Sequence, residues 1–215
     1  MGILLSAMAR VLFRRGRPHF KVPRWEGSWI GQTLQFMIDM LPTIRELIKE
    51  WPGEKLLEVL DVGTGSGAGA NLLGTLYRSS VFGVQMKVDA LDITAAYKPF
   101  ADHYFPNINY TVGDIIQLPP ERKWDLVICS HIIEHFADPL PFIAEARRRA
   151  RHWALFYAPY EEQHLGSGHL TSVTRSMIEG LNPGLVRIMS SPAWTHQVDE
   201  KAETVLFVLV NSDQL

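Results

Sequence analysis

The run Leu60-Asp61-Val62-Gly63-Thr64-Gly65-Ser66-Gly67-Ala68-Gly69 constrains the fold more than any other part of this chain. The apolar segment Lys55 to Leu60 leads into it and reads as a buried parallel strand. Ala70 to Tyr77 follows with helical spacing of apolar residues. Strand, glycine loop and helix together open a nucleotide-binding βαβ unit. Glycine is needed where such a loop turns tightly and its backbone approaches a ligand. Asp61 sits two residues before the first glycine, at the carboxyl end of the strand. A carboxylate there suits a ligand bearing positive charge or hydroxyls, rather than a pyrophosphate.

This acid-x-Gly-x-Gly-x-Gly pattern resembles motif I of the class I S-adenosylmethionine (SAM) methyltransferases. The rival is a dinucleotide site, because Gly63-x-Gly65-x-x-Ala68 also satisfies the looser NAD(P) pattern. Lys123 to Phe136 separates the two. Trp124-Asp125, a strand through Ser130, and Glu134-His135 are similar to the fourth-strand segment of the methyltransferases, which dehydrogenases lack. Asn107 to Ile116 reads as a third strand followed by Gly113-Asp114, and resembles the family's adenine-contacting element.

The resemblance covers about residues 54–210. It implies a Rossmann-like, doubly wound α/β fold whose seven-stranded sheet is mostly parallel, with the last strand antiparallel. It divides the chain into a basic, amphipathic helical extension, residues 1–50, and a SAM-dependent methyltransferase domain, residues 51–215. It further implies that Asp61, Gly63, Thr64, Gly65, Gly67, Asp92, Ile93, Asp114, Ile115 and Ser130 hold SAM. The second strand has two registers. One ends in Gln85; the other, preferred here, ends in Asp92, where a carboxylate can accept from ribose hydroxyls. Thr94 would then cap the following helix.

Catalytic candidates lie past the fourth and fifth strands: His131, Glu134 and His169 first, then His135, His164, Tyr157 and Tyr160. His131 is the first choice of general base by position and by its ordinary titration range. Spacing i, i+3, i+4 would put His131, Glu134 and His135 on one helix face. With His164 or His169 they resemble the Glu-x-x-Glu-His metal motif of coenzyme-Q ring and small-RNA ribose O-methyltransferases, with histidine in place of the first glutamate. The preferred reading has no metal, and a divalent ion is the alternative.

A chain of 215 residues suffices for one well-buried α/β domain. Its single cysteine, Cys129, excludes an internal disulfide and points to a reducing, cytoplasmic setting. No apolar run is long enough to span a bilayer. Residues 3–15 alternate apolar positions at helical spacing with arginines, and the first 24 residues hold Arg10, Arg14, Arg15, Arg17, Lys21 and Arg24 but no acid. The preferred reading is a helix packed on the domain or on a partner subunit; contact of residues 1–17 with a membrane surface, or of the arm with nucleic acid, are alternatives. Gln32 to Trp51 reads as an amphipathic helix that Pro42 kinks or splits; the methyltransferase resemblance implies that such N-terminal helices lie over the cofactor and help form the substrate pocket. The crowded arginines from Arg147 to Arg151 read as a solvated helix end.

The expected activity is methyl transfer from SAM to oxygen, nitrogen or carbon of a small metabolite. RNA ribose 2'-O-methylation with a His/Glu metal site, and a non-catalytic SAM-binding module acting through the N-terminal arm, are the alternatives. Oligomeric state is not encoded in any motif.

Overall fold

The computed structural model describes residues 26–51, 53, 55–166, 168–195 and 202–211. The basic arm, with its membrane, nucleic-acid and partner readings, lies outside the described residues. Helix α1 (Glu26–Lys49) comes first, then strand β1 (Leu56–Val62), helix α2 (Ala68–Leu76) and strand β2 (Gln85–Asp92). Helix α3 (Lys98–Tyr104), strand β3 (Ile108–Val112), strand β4 (Trp124–Ser130), helix α4 (Leu140–Arg149) and strand β5 (Ala150–Tyr160) follow. Helix α5 (Arg175–Gly180), strand β6 (Leu185–Met189), helix α6 (Pro192–Thr195) and strand β7 (Glu203–Val210) complete the order.

The strands form one seven-stranded sheet in the order β3-β2-β1-β4-β5-β7-β6. Strands β1 to β5 pair in parallel, and β7 runs antiparallel to both β5 and β6. The chain order reverses between β1 and β4, so the carboxyl ends of these two strands border the crevice where α/β sheets take ligands.

Strand alternation sorts the core into two layers. Leu57, Val59, Val88, Leu126 and Leu155 face α1 and α2, joining Phe36, Met37, Met40, Ile44 and Leu73. Leu60, Val62, Val127, Phe156 and Phe207 face the other way, against Phe142, Ile143 and Ala146 of α4 and Ile178 of α5. Helix α1 therefore shares the core of the sheet.

Three local expectations are corrected, and the preferred register of the second strand holds. Pro42 does not split α1, which is one helix beginning at Glu26. Loss of one backbone donor costs about 3 kcal/mol, and the burial of Met40, Ile44 and Leu47 on the same helix outweighs it. Residues 80–82 form a single 3-10 turn, and Gln85 opens β2 while Asp92 ends it. Thr94 is not a helix cap: α3 starts at Lys98, and the Thr94 hydroxyl accepts from the Ala96 N–H instead. The arginine cluster is a solvated end only at Arg147 and Arg148. Arg149 is buried and donates to the carbonyls of Leu118, Pro119 and Arg122 and to Glu145, and Arg151 pairs with Glu58 and Asp125.

Candidate functional site

Asp61 continues the alternation of Leu57 and Val59, so its side chain points toward α1. It is buried, and its Oδ2 accepts from the Thr64 hydroxyl at 2.7 Å. Burial pushes its carboxyl up to about 7; the Thr64 hydrogen bond opposes that, and the charge of Asp92 adds to it. Gly63 and Gly65 adopt φ of 64° and 57°, left-handed values that bend the chain away from β1. Asp92 closes the loop from the next strand, its Oδ2 accepting from Gly65 N–H at 2.8 Å and its Oδ1 from Thr94 N–H at 2.9 Å. Tyr110 donates its hydroxyl to Gly65 O at 2.8 Å.

A cavity of about 740 Å³ opens at these strand ends. Asp61, Gly63, Thr64 and Gly65 form its floor with Ser130 at the end of β4, and Thr33, Phe36 and Met37 of α1 form one wall. His131, which stacks on Phe36, and Glu134, His135, His164 and His169 complete the lining. No lysine or arginine lines it among the described residues. Ser130 Oγ is buried with no hydrogen-bond partner among the described residues.

His131 leaves β4 at φ 52°, a left-handed value uncommon for a residue with a side chain. Its N–H donates to Tyr157 O at 2.7 Å, and its ring stacks on Phe36 with centroids 3.7 Å apart. Its Nδ1 lies 3.2 Å from Glu134 Oε1. That approach is within ion-pair distance but misaligned for a hydrogen bond, and both Glu134 oxygens are buried without a hydrogen-bond donor among the described residues.

The predicted shared helix face is absent. Residues 133–135 form one 3-10 turn, and the helix begins at Leu140. The structure instead gathers Glu134, His135 and His169, whose ligand-capable atoms lie within 4.8 Å of one another; His131 is not in that group. His135 Nδ1 donates to Gly168 O at 2.9 Å, and His169 Nδ1 to the Glu162 carboxylate at 2.8 Å. Tyr157 is committed elsewhere: its hydroxyl donates to Asp39 at 3.0 Å, and burial pushes its phenol up, away from use as a base.

Of the predicted cofactor residues, Gly67, Asp92, Ile93, Asp114 and Ile115 do not line this cavity. Ile93 is exposed, Asp114 caps the turn at residues 115–117 through Ile116 N–H, and Ile115 is buried in the core while Ile116 is exposed. Sequence reasoning missed Glu162. The resemblance implied that the N-terminal helix helps form the pocket, and α1 does line the cavity, although the helical period alone does not mark the face that meets the glycine loop.

Residues 60–157 match the family model described as a methyltransferase domain. This segment is therefore similar to methyltransferase domains. The chain is 27% identical over 124 residues to the mitochondrial ubiquinone biosynthesis O-methyltransferase of Candida albicans, covering 53% of this chain and 38% of that protein. It is 30% identical over 100 residues to ajmaline N-methyltransferase of Rauvolfia serpentina, covering 46% of this chain and 34% of that protein. The chain thus spans well under half the length of these curated relatives. Among solved structures, magnesium protoporphyrin IX methyltransferase from Synechocystis PCC 6803 with bound SAH superposes with a TM-score of 0.62 at 15% identity, over 98% of this chain and 97% of that one. This likeness extends the methyltransferase fold to the whole described chain, α1 included. No described helix is long and apolar enough to cross a membrane.

Proposed function

We propose that this chain is a SAM-dependent methyltransferase acting on a small, uncharged or cationic acceptor. The carrying observation is a cavity with a buried carboxylate and a left-handed glycine loop in its lining, and with no lysine or arginine there among the described residues. SAM carries an ammonium, a sulfonium and ribose hydroxyls, and no phosphate. The Asp61 carboxylate and the Ser130 hydroxyl in the lining fit such a ligand, with Asp92 holding the glycine loop, whereas a dinucleotide pyrophosphate would meet Asp61 and Glu134 with no lysine or arginine beside them among the described residues. When bound, SAM supplies a methyl group already activated for displacement.

The chain's own part is to hold an acceptor in line and to take its proton. Phe36, Met37 and Met40 offer an apolar surface for the acceptor's body. The lining histidines offer proton acceptors, with His131 fixed by its stack on Phe36. Among the described residues the lining has no lysine or arginine, which favours this reading over RNA ribose methylation, in which phosphates require cationic partners.

Calorimetric titration with S-adenosylhomocysteine (SAH) tests the reading. Micromolar binding that weakens in Asp61→Ala and in Asp92→Ala is the expected result. Folded protein that binds no SAH would remove it.

A further inference from the structure

The loop between β5 and α5 is built around a carboxylate–imidazole pair that the fold alone does not require. Glu162 and His169 have side chains 4% and 6% exposed, and Nδ1 meets Oε2 at 2.8 Å and Oε1 at 3.0 Å. The Gly166 N–H donates to the same carboxylate at 3.3 Å, and His169 N–H donates back to Gly166 O at 3.0 Å. A Cβ on Gly166 would come within 3.2 Å of the His169 ring, so glycine lets the ring sit flat against the turn. The loop is docked at both ends. Tyr160 bridges Val173, and the N–H groups of Leu170 and Thr171 both donate to Glu134 O. The ring thus projects from a braced loop, and it lines the same cavity as Asp61 and Ser130.

We infer that Glu162 and His169 are a preset proton-accepting pair for a hydroxyl-bearing acceptor, with Glu162 the positioning residue and His169 Nε2 the atom that meets the acceptor. This rests on the methyltransferase reading above. A carboxylate can only accept, so it fixes the proton on Nδ1 and leaves the lone pair on Nε2. In the reaction the acceptor O–H proton passes to Nε2 as the oxygen's electron pair forms the new bond to the methyl carbon. The pair of the broken carbon–sulfur bond stays on sulfur, and the imidazolium returns its proton to water. A neutral phenol or alcohol suits this side of the cavity; an anionic acceptor would face Glu134 and Asp61.

The test uses full-length protein labelled with 15N at histidine, with His169 assigned from His169→Asn. In wild type at mildly alkaline pH the side-chain 15N shifts should report the Nδ1–H tautomer. Glu162→Ala should release it to the Nε2–H form, while Glu162→Gln, which keeps an acceptor oxygen, should retain Nδ1–H. Carbethoxylation of His169 by diethylpyrocarbonate, followed by mass spectrometry, should slow several-fold in Glu162→Ala. With SAH present, phenol as the probe hydroxyl should shift the His169 Nε2 resonance. An Nε2–H tautomer in wild type, equal carbethoxylation rates, or no response to phenol would each overturn the inference. So would micromolar Zn²⁺ binding that moves His135 and His169 together, which would make the group a metal site. SAH affinity should be unchanged in Glu162→Ala, so its absence in every protein would count against the methyltransferase reading and not against the pair.

Discussion

Asp61 carries opposing demands that one substitution can separate. Burial raises its carboxyl to about 7, so the folded chain binds that proton more tightly than the unfolded chain. The sign follows from linkage: the penalty is absent below the ordinary carboxylate range near about pH 4, grows as pH rises, and is complete above about pH 7. Asp61→Asn keeps an acceptor for the Thr64 hydroxyl and removes the charge. It should raise the melting temperature at about pH 8, by about 2–4 °C for each kcal/mol recovered, and give no gain near about pH 4. The same substitution should weaken SAH binding, and wild-type affinity should fall between about pH 8 and about pH 6 as the carboxylate is neutralised. Scanning fluorimetry and calorimetry at these values check both halves; a variant less stable at the higher pH would contradict the burial argument. Asp61 was legible because alternate glycines follow it from Gly63 onward. Glu162 was not: it meets His169 only through a turn at Gly166, and no short spacing announces such a pair.

Helix contacts show which parts of an element a sequence exposes. Gly69 allows α2 to approach α1 so closely that a Cβ would lie 2.9 Å from Thr33 O and 3.2 Å from Met37 Cβ. Gly69→Ala must push α1 outward, and overpacking of this kind costs about 1–3 kcal/mol. The urea midpoint should drop with an unchanged m-value, and SAH affinity should drop with it, because α1 carries Thr33, Phe36 and Met37 into the cavity wall. The strands and the glycine loop were readable from apolar runs and turn chemistry. The i, i+3, i+4 face proposed for His131, Glu134 and His135 failed because spacing implies a face only inside a helix, and that segment turns once and stops. Arg149 was misread for the opposite reason. It follows Ala146 by three residues on the buried face of α4, so its position was visible, but its charge argued for solvent. Four acceptors take up that charge. Arg149→Ala should cost about 3–5 kcal/mol, the range for breaking a buried pair, read as a lowered unfolding midpoint. Arg148→Ala, whose guanidinium is exposed, should cost far less.

At the scale of the molecule, α1 decides whether the site has a wall. Asp39 ties that helix to the far half of the sheet. Its Oδ2 accepts from Tyr157 on β5 at 3.0 Å and from Ser191, just before α6, at 2.6 Å, while its Oδ1 accepts from Gln35 at 2.8 Å. Thr204 on β7 extends the network by donating to the Tyr157 hydroxyl at 3.0 Å. Removing the carboxylate strands several donors at once, and each buried group left unmet costs about 1–3 kcal/mol. Asp39→Ala should therefore destabilise the fold, while Asp39→Asn, which keeps one acceptor, should lose less. Amide hydrogen exchange separates a helix integral to the core from an appended one. Because Phe36, Met40 and Ile44 share a core layer with β1 and β5, the protected amides of α1 should exchange in wild type only with global unfolding. In Asp39→Ala they should begin to exchange ahead of β4 and β5, as α1 gains an opening of its own. Were α1 already exchanging first in wild type, the network would not be what holds it. The cavity would then have to form its α1 wall on ligand binding, and SAH should slow exchange in α1 far more than in β1.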